Sequence, residues 1–299
     1  MKYFTHASAA LVALQALVGG QADRGATPLE RGTLPPRWTP EHQDCAREDP
    51  FLVHEYNAAF VVIRQSGCTN FEKPFLYLLF GSHEALLVDT GATGAHPAEV
   101  VDRVLRAHAG TAQKPLPLVV VHSHGHGDHV AVDAEFSRRP DTRLVEGKPE
   151  AVAQFFAIRN WPGDSAQYDL GDRVIDIVPI PGHQPASIAI YDRRTGILLT
   201  GDTLYPGRLY VRDEPAFRAS IDRLVSFSAT REIAHVLGAH IEQARAPFAD
   251  YPEGTKFHPD EHPLELGHAH LLELQEALRA MRGKVERRGF RDFTVWPVQ

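Results

Sequence analysis

Cysteine is scarce in this chain: 299 residues hold two, Cys45 and Cys68. Neither stands at the end of the apolar N-terminal stretch, so a lipid anchor there is not indicated. Beyond the first 22 residues no run approaches the roughly 20 apolar residues that a membrane span requires. Basic residues are not in excess either, because 31 Lys and Arg face 38 Asp and Glu for a net charge of −7. Without a basic surface to release counterions, nucleic acid is excluded as a partner. Internal repeats and low-complexity segments are absent too. What remains is 43% hydrophobic and 23% charged, an ordinary globular composition in a chain long enough to bury a sizeable core.

The amino terminus has the grammar of a secretory signal. Lys2 supplies a positive charge, Ala9 to Val18 an apolar stretch, and Gly20-Gln21-Ala22 a small-residue cleavage pattern. The expectation is a signal peptide over 1–22, an N-terminal extension over 23–50 rich in Pro, Gly and Arg, and an exported protein, periplasmic or secreted. In such a compartment Cys45 and Cys68 form a disulfide worth about 3 kcal/mol. The alternative is two separate thiols, since sequence does not show that their Cβ atoms meet.

One segment concentrates chemistry. Val121-His122-Ser123-His124-Gly125-His126-Gly127-Asp128-His129 follows the apolar run Pro117 to Val121 and places three imidazoles and a carboxylate between His124 and His129. Imidazole and carboxylate are the ligands that zinc and similar metals prefer. The interspersed glycines let neighbouring side chains converge. Downstream, short apolar runs end repeatedly in a ligand type beside or near glycine: Ile175 to Ile180 before Gly182-His183, Gly196 to Thr200 before Gly201-Asp202, and Ile233 to Leu237 before Gly238-Ala239-His240. Upstream, Glu84 to Val88 runs into Asp89. In open α/β folds, sites form at the carboxyl ends of strands, so these residues are expected to share one rim.

The remaining pattern predicts strands at 51–56, 59–64, 75–80, 84–88 and 142–146, and helices at 97–108, 149–158, 215–226 and 266–281. The order implies an α/β fold of two mixed sheets packed face to face with helices outside. His122 reads as a strand-end residue that supports the loop. His258 and His262 fall in a Pro-rich loop, and His268 and His270 open a helix on different faces, so all four read as structural.

With those residues in place, the chain resembles the metallo-β-lactamase superfamily, including its lactonase and glyoxalase II members. The resemblance rests on H-x-H-x-D-H at His124, His126, Asp128 and His129, with Asp89, His183, Asp202 and His240 in the family's order, over roughly residues 51–243. It implies an αβ/βα sandwich, a domain over 51–299 that includes the C-terminal helix, and two zinc ions. His124, His126 and His183 would hold the first ion. Asp128, His129 and His240 would hold the second, with Asp202 bridging and Asp89 supporting the ligand loop. The implied reaction is attack by a hydroxide lying between the metals on an ester, lactone or thioester carbonyl of a small molecule, with Asp128 orienting the nucleophile.

Tyr205, three residues beyond Asp202, matches a tyrosine that lactonases of the family aim at the substrate carbonyl; the alternative is a packing tyrosine. Asp202 argues against a true β-lactamase, although a lactamase-like amide hydrolase stands among the alternatives. A glutathione thioester is disfavoured by export and by the absence of a C-terminal Lys/Arg cluster. Persulfide dioxygenases of the same family keep the motif but use one Fe2+ at the counterparts of His124, His183 and Asp202, so metal identity separates the two chemistries. A non-enzymatic binding protein would have lost ligands, and none is lost.

Overall fold

Along the strand Leu118-Val119-Val120-Val121, successive side chains go to different cores. Val119 and Val121 pack between the two sheets, while Leu118 and Val120 pack beneath the outer helix. That alternation follows from the period of two in extended backbone. It explains why the strand is apolar throughout, because both of its faces are covered.

The computed structural model describes Met1 and residues 28–40, 43–111 and 113–298. The expected signal peptide, residues 1–22, lies outside the described residues apart from Met1, as does part of the expected extension. In chain order the first half contains β1 (Phe51–Asn57), β2 (Phe60–Gln65), β3 (Phe75–Phe80), β4 (Ala85–Val88), α1 (Pro97–Ala109), β5 (Leu118–Val121), α2 (Gly127–Val130), α3 (Asp133–Ser137), β6 (Thr142–Leu144) and α4 (Pro149–Phe155). The second half contains β7 (Ala166–Asp169), β8 (Val174–Pro179), β9 (Ile188–Asp192), β10 (Ile197–Gly201), β11 (Arg208–Val211), α5 (Glu214–Ser228), β12 (His235–Gly238), β13 (Glu265–Leu266), α6 (His268–Ala280), β14 (Arg288–Gly289) and β15 (Thr294–Pro297).

Strands β1 to β6 form one mixed sheet in sequence order. It is antiparallel as far as β4 and parallel from β4 to β6, and α1 makes the first crossover, as parallel neighbours require. The second mixed sheet runs β13-β12-β10-β9-β8-β7. Ile175, Ile177, Ile188, Ile190, Leu199 and Leu237 face the first sheet across the central core. On the outer side of the second sheet, α5 and α6 bury Phe217, Ile221, Leu224, Leu271, Leu274 and Leu278. Burying each such side chain contributes roughly 1.5–3 kcal/mol. The layers are helix, sheet, sheet, helix, the αβ/βα sandwich expected.

The helices begin where the sequence places proline. Pro97 and Pro149 open α1 and α4, and Asp213 caps α5 by accepting from Ala216 N at 3.1 Å. Cys45 and Cys68 are joined by a disulfide, with Cα atoms 5.3 Å apart. No helix among the described residues is long and apolar enough to cross a membrane.

A third sheet was not foreseen. The segment 204–214, where the sequence analysis places no strand, contains β11, which pairs in parallel with β15 and forms the sheet β11-β15-β14. Strands of two to four residues leave little periodic signal, and the β11–β15 partners lie far apart along the chain.

Candidate metal centre

The carboxyl ends of β4, β5, β8, β10 and β12 meet at one edge of the sandwich. Backbone bonds join the sheets there: Ile188 N donates to Ser123 O at 2.9 Å, and Phe75 N donates to Ala239 O at 2.8 Å. Asp89 leaves β4, the His124–His129 loop leaves β5, and His183, Asp202 and His240 follow β8, β10 and β12.

Two glycines make the close approach possible. Gly182 has φ +136° and a Cβ there would lie 2.4 Å from Phe217 Cα, so only glycine lets β8 turn into His183 against α5. Gly201 has φ +51°, and its Cβ would lie 2.8 Å from Ser123 Cβ, which brings Asp202 up to the histidine loop.

The seven residues singled out from the sequence gather into two groups. His124, His126 and His183 form the first, with His126 Nδ1 at 2.9 Å from His124 Nε2 and 3.0 Å from His183 Nε2. Asp128, His129, Asp202 and His240 form the second. Asp128 Oδ2 lies 3.2 Å from both His129 Nε2 and His240 Nε2. Asp202 reaches both groups. Its Oδ2 is 3.7 Å from His124 Nε2 and 3.6 Å from His183 Nε2, while its Oδ1 is 3.6 Å from His129 Nε2 and 3.4 Å from His240 Nε2.

The backs of the rings fix their tautomers. His129 Nδ1 donates to Asp89 Oδ2 at 2.9 Å, His183 Nδ1 to Tyr210 O at 3.0 Å, and His240 Nδ1 to Glu72 O at 2.9 Å. His124 Nδ1 lies 3.2 Å from Ser123 Oγ, which itself donates to Asp89 Oδ2 at 2.8 Å. Each Nε2 is thereby turned toward the cluster, the orientation that metal-binding histidines use. Asp89 also accepts from Ser123 N at 2.7 Å, and its own φ is +67°. It braces the loop and sits behind the cluster.

Charge divides the groups. Burial pushes His124 and His126 below the ordinary imidazole range and His183 down to about 4, so all three are neutral at pH 7. In the second group burial also presses His240 down, but the carboxylates of Asp202 and Asp128 outweigh it and hold it at about 9. Burial would raise Asp128 and Asp202, yet the surrounding histidines hold both well below the usual carboxylate range.

The donor set fits a pair of cations. Three neutral imidazoles turn ring nitrogens on one another with no other donor between them, and the buried Oδ1 of Asp202 has no hydrogen-bond partner among the described residues. A buried carboxylate left in that state is costly unless a cation completes it.

The cluster floors an open cavity of about 450 Å³, whose walls include Tyr210, Arg212, Glu72, Glu242, Trp296 and Val298. Sequence reading missed these residues. The carbonyls of Glu72 and Tyr210 act through backbone atoms, and Trp296 arrives only through the pairing of β15 with β11. Tyr205 is buried, and its hydroxyl donates to Arg208 O at 2.5 Å and lies 3.1 Å from Glu242 Oε2. Its single proton is committed within the protein, as in the packing alternative.

The other histidines take structural places. His122 contacts His129 O at 3.1 Å and Asp133 at 3.3 Å. His268 meets Ser228 Oγ at 2.9 Å, His262 and His270 flank Asp292 at 3.0 Å each, and His258 stacks on Tyr251 at 4.0 Å.

The family model described as the metallo-beta-lactamase superfamily matches residues 71–234, more than half of the chain, and the chain belongs to that superfamily. It is 30% identical over 131 residues to a hydroxyacylglutathione hydrolase of Anaeromyxobacter dehalogenans, covering 44% of this chain and 46% of that one. It is 27% identical over 173 residues to an acyl-coenzyme A thioesterase of Bos taurus, covering 45% of this chain and 59% of that one. The chain thus spans about half the length of the curated relatives it matches. A metallo-beta-lactamase from Pontibacter korlensis superposes with a TM-score of 0.53 at 16% identity, over 77% of this chain and 99% of that one. One from Hirschia baltica gives 0.50 at 15%, over 64% and 91%. At such identities the structural likeness is one of fold. The chain is thus a member of the metallo-beta-lactamase superfamily that carries a His/Asp cluster able to hold metal.

Proposed function

We propose that the cluster holds two zinc ions and that the protein hydrolyses a thioester, ester or lactone of a small acyl substrate. The observation that carries this reading is Asp202, whose two oxygens each face a different ligand group. His124, His126 and His183 would hold one ion, Asp128, His129 and His240 the other, and Asp202 both. When bound, such a pair supplies Lewis acidity and water acidified to near neutral pH. The thioester comes first among the substrates because the relatives are named as hydrolases of glutathione and coenzyme A thioesters.

The chain's own residues do the positioning. Glu72 O, Tyr210 O and Asp89 hold the rings in the tautomer that presents Nε2. Asp128 is the cluster carboxylate most open to the cavity, with its side chain 21% exposed against 9% for Asp202, so it is placed to orient the attacking water. Tyr205 and Glu242 brace the cavity wall. The export proposed from residues 1–22 is supported by the Cys45–Cys68 bridge, since disulfides persist in oxidising compartments.

The test is metal content per chain by mass spectrometry on protein prepared without added metal, followed by a panel of thioesters, lactones, esters and amides. Two zincs with turnover of the first three classes is the expected result. One iron with sulfur oxidation, or turnover confined to amides, overturns it.

A further inference from the structure

A second pocket of about 230 Å³ shares no lining residue with the cavity over the metal centre. Trp38, Phe51, Leu52 and Phe257 give it apolar walls, and Arg64, Lys73 and Lys256 give it three cations. Arg64 is only 3% exposed. Its Nη1 is spent on Glu261, with contacts of 2.6 and 2.8 Å to the two carboxylate oxygens, whereas Nε and Nη2 are buried without a partner among the described residues. The indole Nε1 of Trp38 is likewise buried and unpaired. Buried donors of this kind are rare in native proteins and call for an acceptor.

The pocket is a built feature. A Cβ on Gly67 would come within 2.0 Å of Lys256 O, so the turn at 66–69 lies directly on the 252–258 loop. Lys73 Nζ fastens the two by donating to Phe71 O at 2.6 Å and Thr255 O at 2.7 Å. Burial and the Arg64 guanidinium bring Lys73 down to about 8, and burial with Lys73 and Arg64 brings His258 down to about 3. Two carboxylates also line the pocket: Glu48, whose oxygens accept from Asp44 N and Ser66 Oγ at 3.0 Å each, and the exposed Asp49.

We propose that this pocket is a second binding site, for a small amphipathic carboxylate whose acid group meets Arg64 and whose apolar body lies among Trp38, Phe51 and Phe257. Its placement joins it to the metal centre. Lys73 of the pocket follows Glu72 in the chain, and the carbonyl of Glu72 orients His240.

The experiment is calorimetric titration of the full chain with sodium phenylacetate and with phenylacetamide as the neutral counterpart, before and after chelator treatment. The expected result is saturable binding of phenylacetate in both states and binding of the amide weaker by about tenfold or more. Arg64→Gln should abolish binding. Because that change also strands Glu261, Lys256→Glu and Phe257→Ala provide the independent check, each weakening binding by about fivefold. Equal binding of acid and amide, or binding that vanishes with the chelated metal while Lys256→Glu and Phe257→Ala leave it unchanged, overturns the proposal, as does no binding at all.

Discussion

The carboxylate of Asp89 accepts the Nδ1 proton of His129 at 2.9 Å while its other oxygen holds the backbone of Ser123 at 2.7 Å. One side chain therefore sets both the path of the histidine loop and the tautomer of a ring within it. Replacing it with asparagine keeps the shape but can satisfy only part of this set. We expect Asp89→Asn to lower metal affinity by about 10–100-fold, read by competition with a chromophoric chelator. Unchanged affinity would mean that the loop holds its shape without the carboxylate.

Asp128 belongs to one ligand group only, unlike Asp202. The Asp128→Ala protein is expected to retain about one metal per chain and to lose most turnover. Two metals with near-normal kcat would remove Asp128 from both of its proposed roles.

Tyr205→Phe deletes a hydroxyl that bonds Arg208 O and touches Glu242. The cost should be about 1 kcal/mol of stability, with kcat within about twofold of the parent. A fall of about a hundredfold in kcat at unchanged KM would instead be the signature of a lost oxyanion donor.

Most of this centre was legible in the chain because strand ends are marked twice, by an apolar run and by the glycine that follows. Gly182-His183 and Gly201-Asp202 carry that mark, and their positive φ values supply its physical reason. What the sequence could not disclose are contacts made by main-chain atoms, such as Glu72 O on His240 and Tyr210 O on His183, because any residue carries a carbonyl. The wall built from Tyr210 and Trp296 was also hidden, since β11 and β15 are each four residues long and meet only in the folded chain. The two-layer core was readable for the opposite reason. Runs such as Phe60-Val61-Val62-Ile63 are apolar at every position, which only a strand covered on both faces tolerates.

His258 supplies a pH test away from the metal ligands. Burial, Lys73 and Arg64 bring its folded-state value to about 3, against about 6.5 when unfolded. Between those values the unfolded chain binds the extra proton, so stability rises with pH and is lost on acidification below about 6.5. In chelated protein, His258→Phe, which keeps a ring against Tyr251, should lose less Tm between pH 7 and pH 5 than the parent. Parallel losses would show that His258 is not titrating in this window.

The Cys45–Cys68 bridge closes a separation of 23 residues. The double Cys→Ser protein should be less stable by about 3 kcal/mol in denaturant titration. A cost near zero would mean that the neighbouring packing alone fixes this strap.

The pairing of Arg208 with Thr294 and of Val211 with Pro297 has a kinetic consequence. Joining segments so distant along the chain carries a loop-closure cost that the hairpins of the main sheets do not. The third sheet is therefore expected to open more readily than those hairpins, read as faster amide hydrogen exchange in β11 and β15 than in β2 and β3. Because Tyr210 of β11 also holds His183 Nδ1, opening this edge would release the orientation of one ring of the cluster together with the cavity wall.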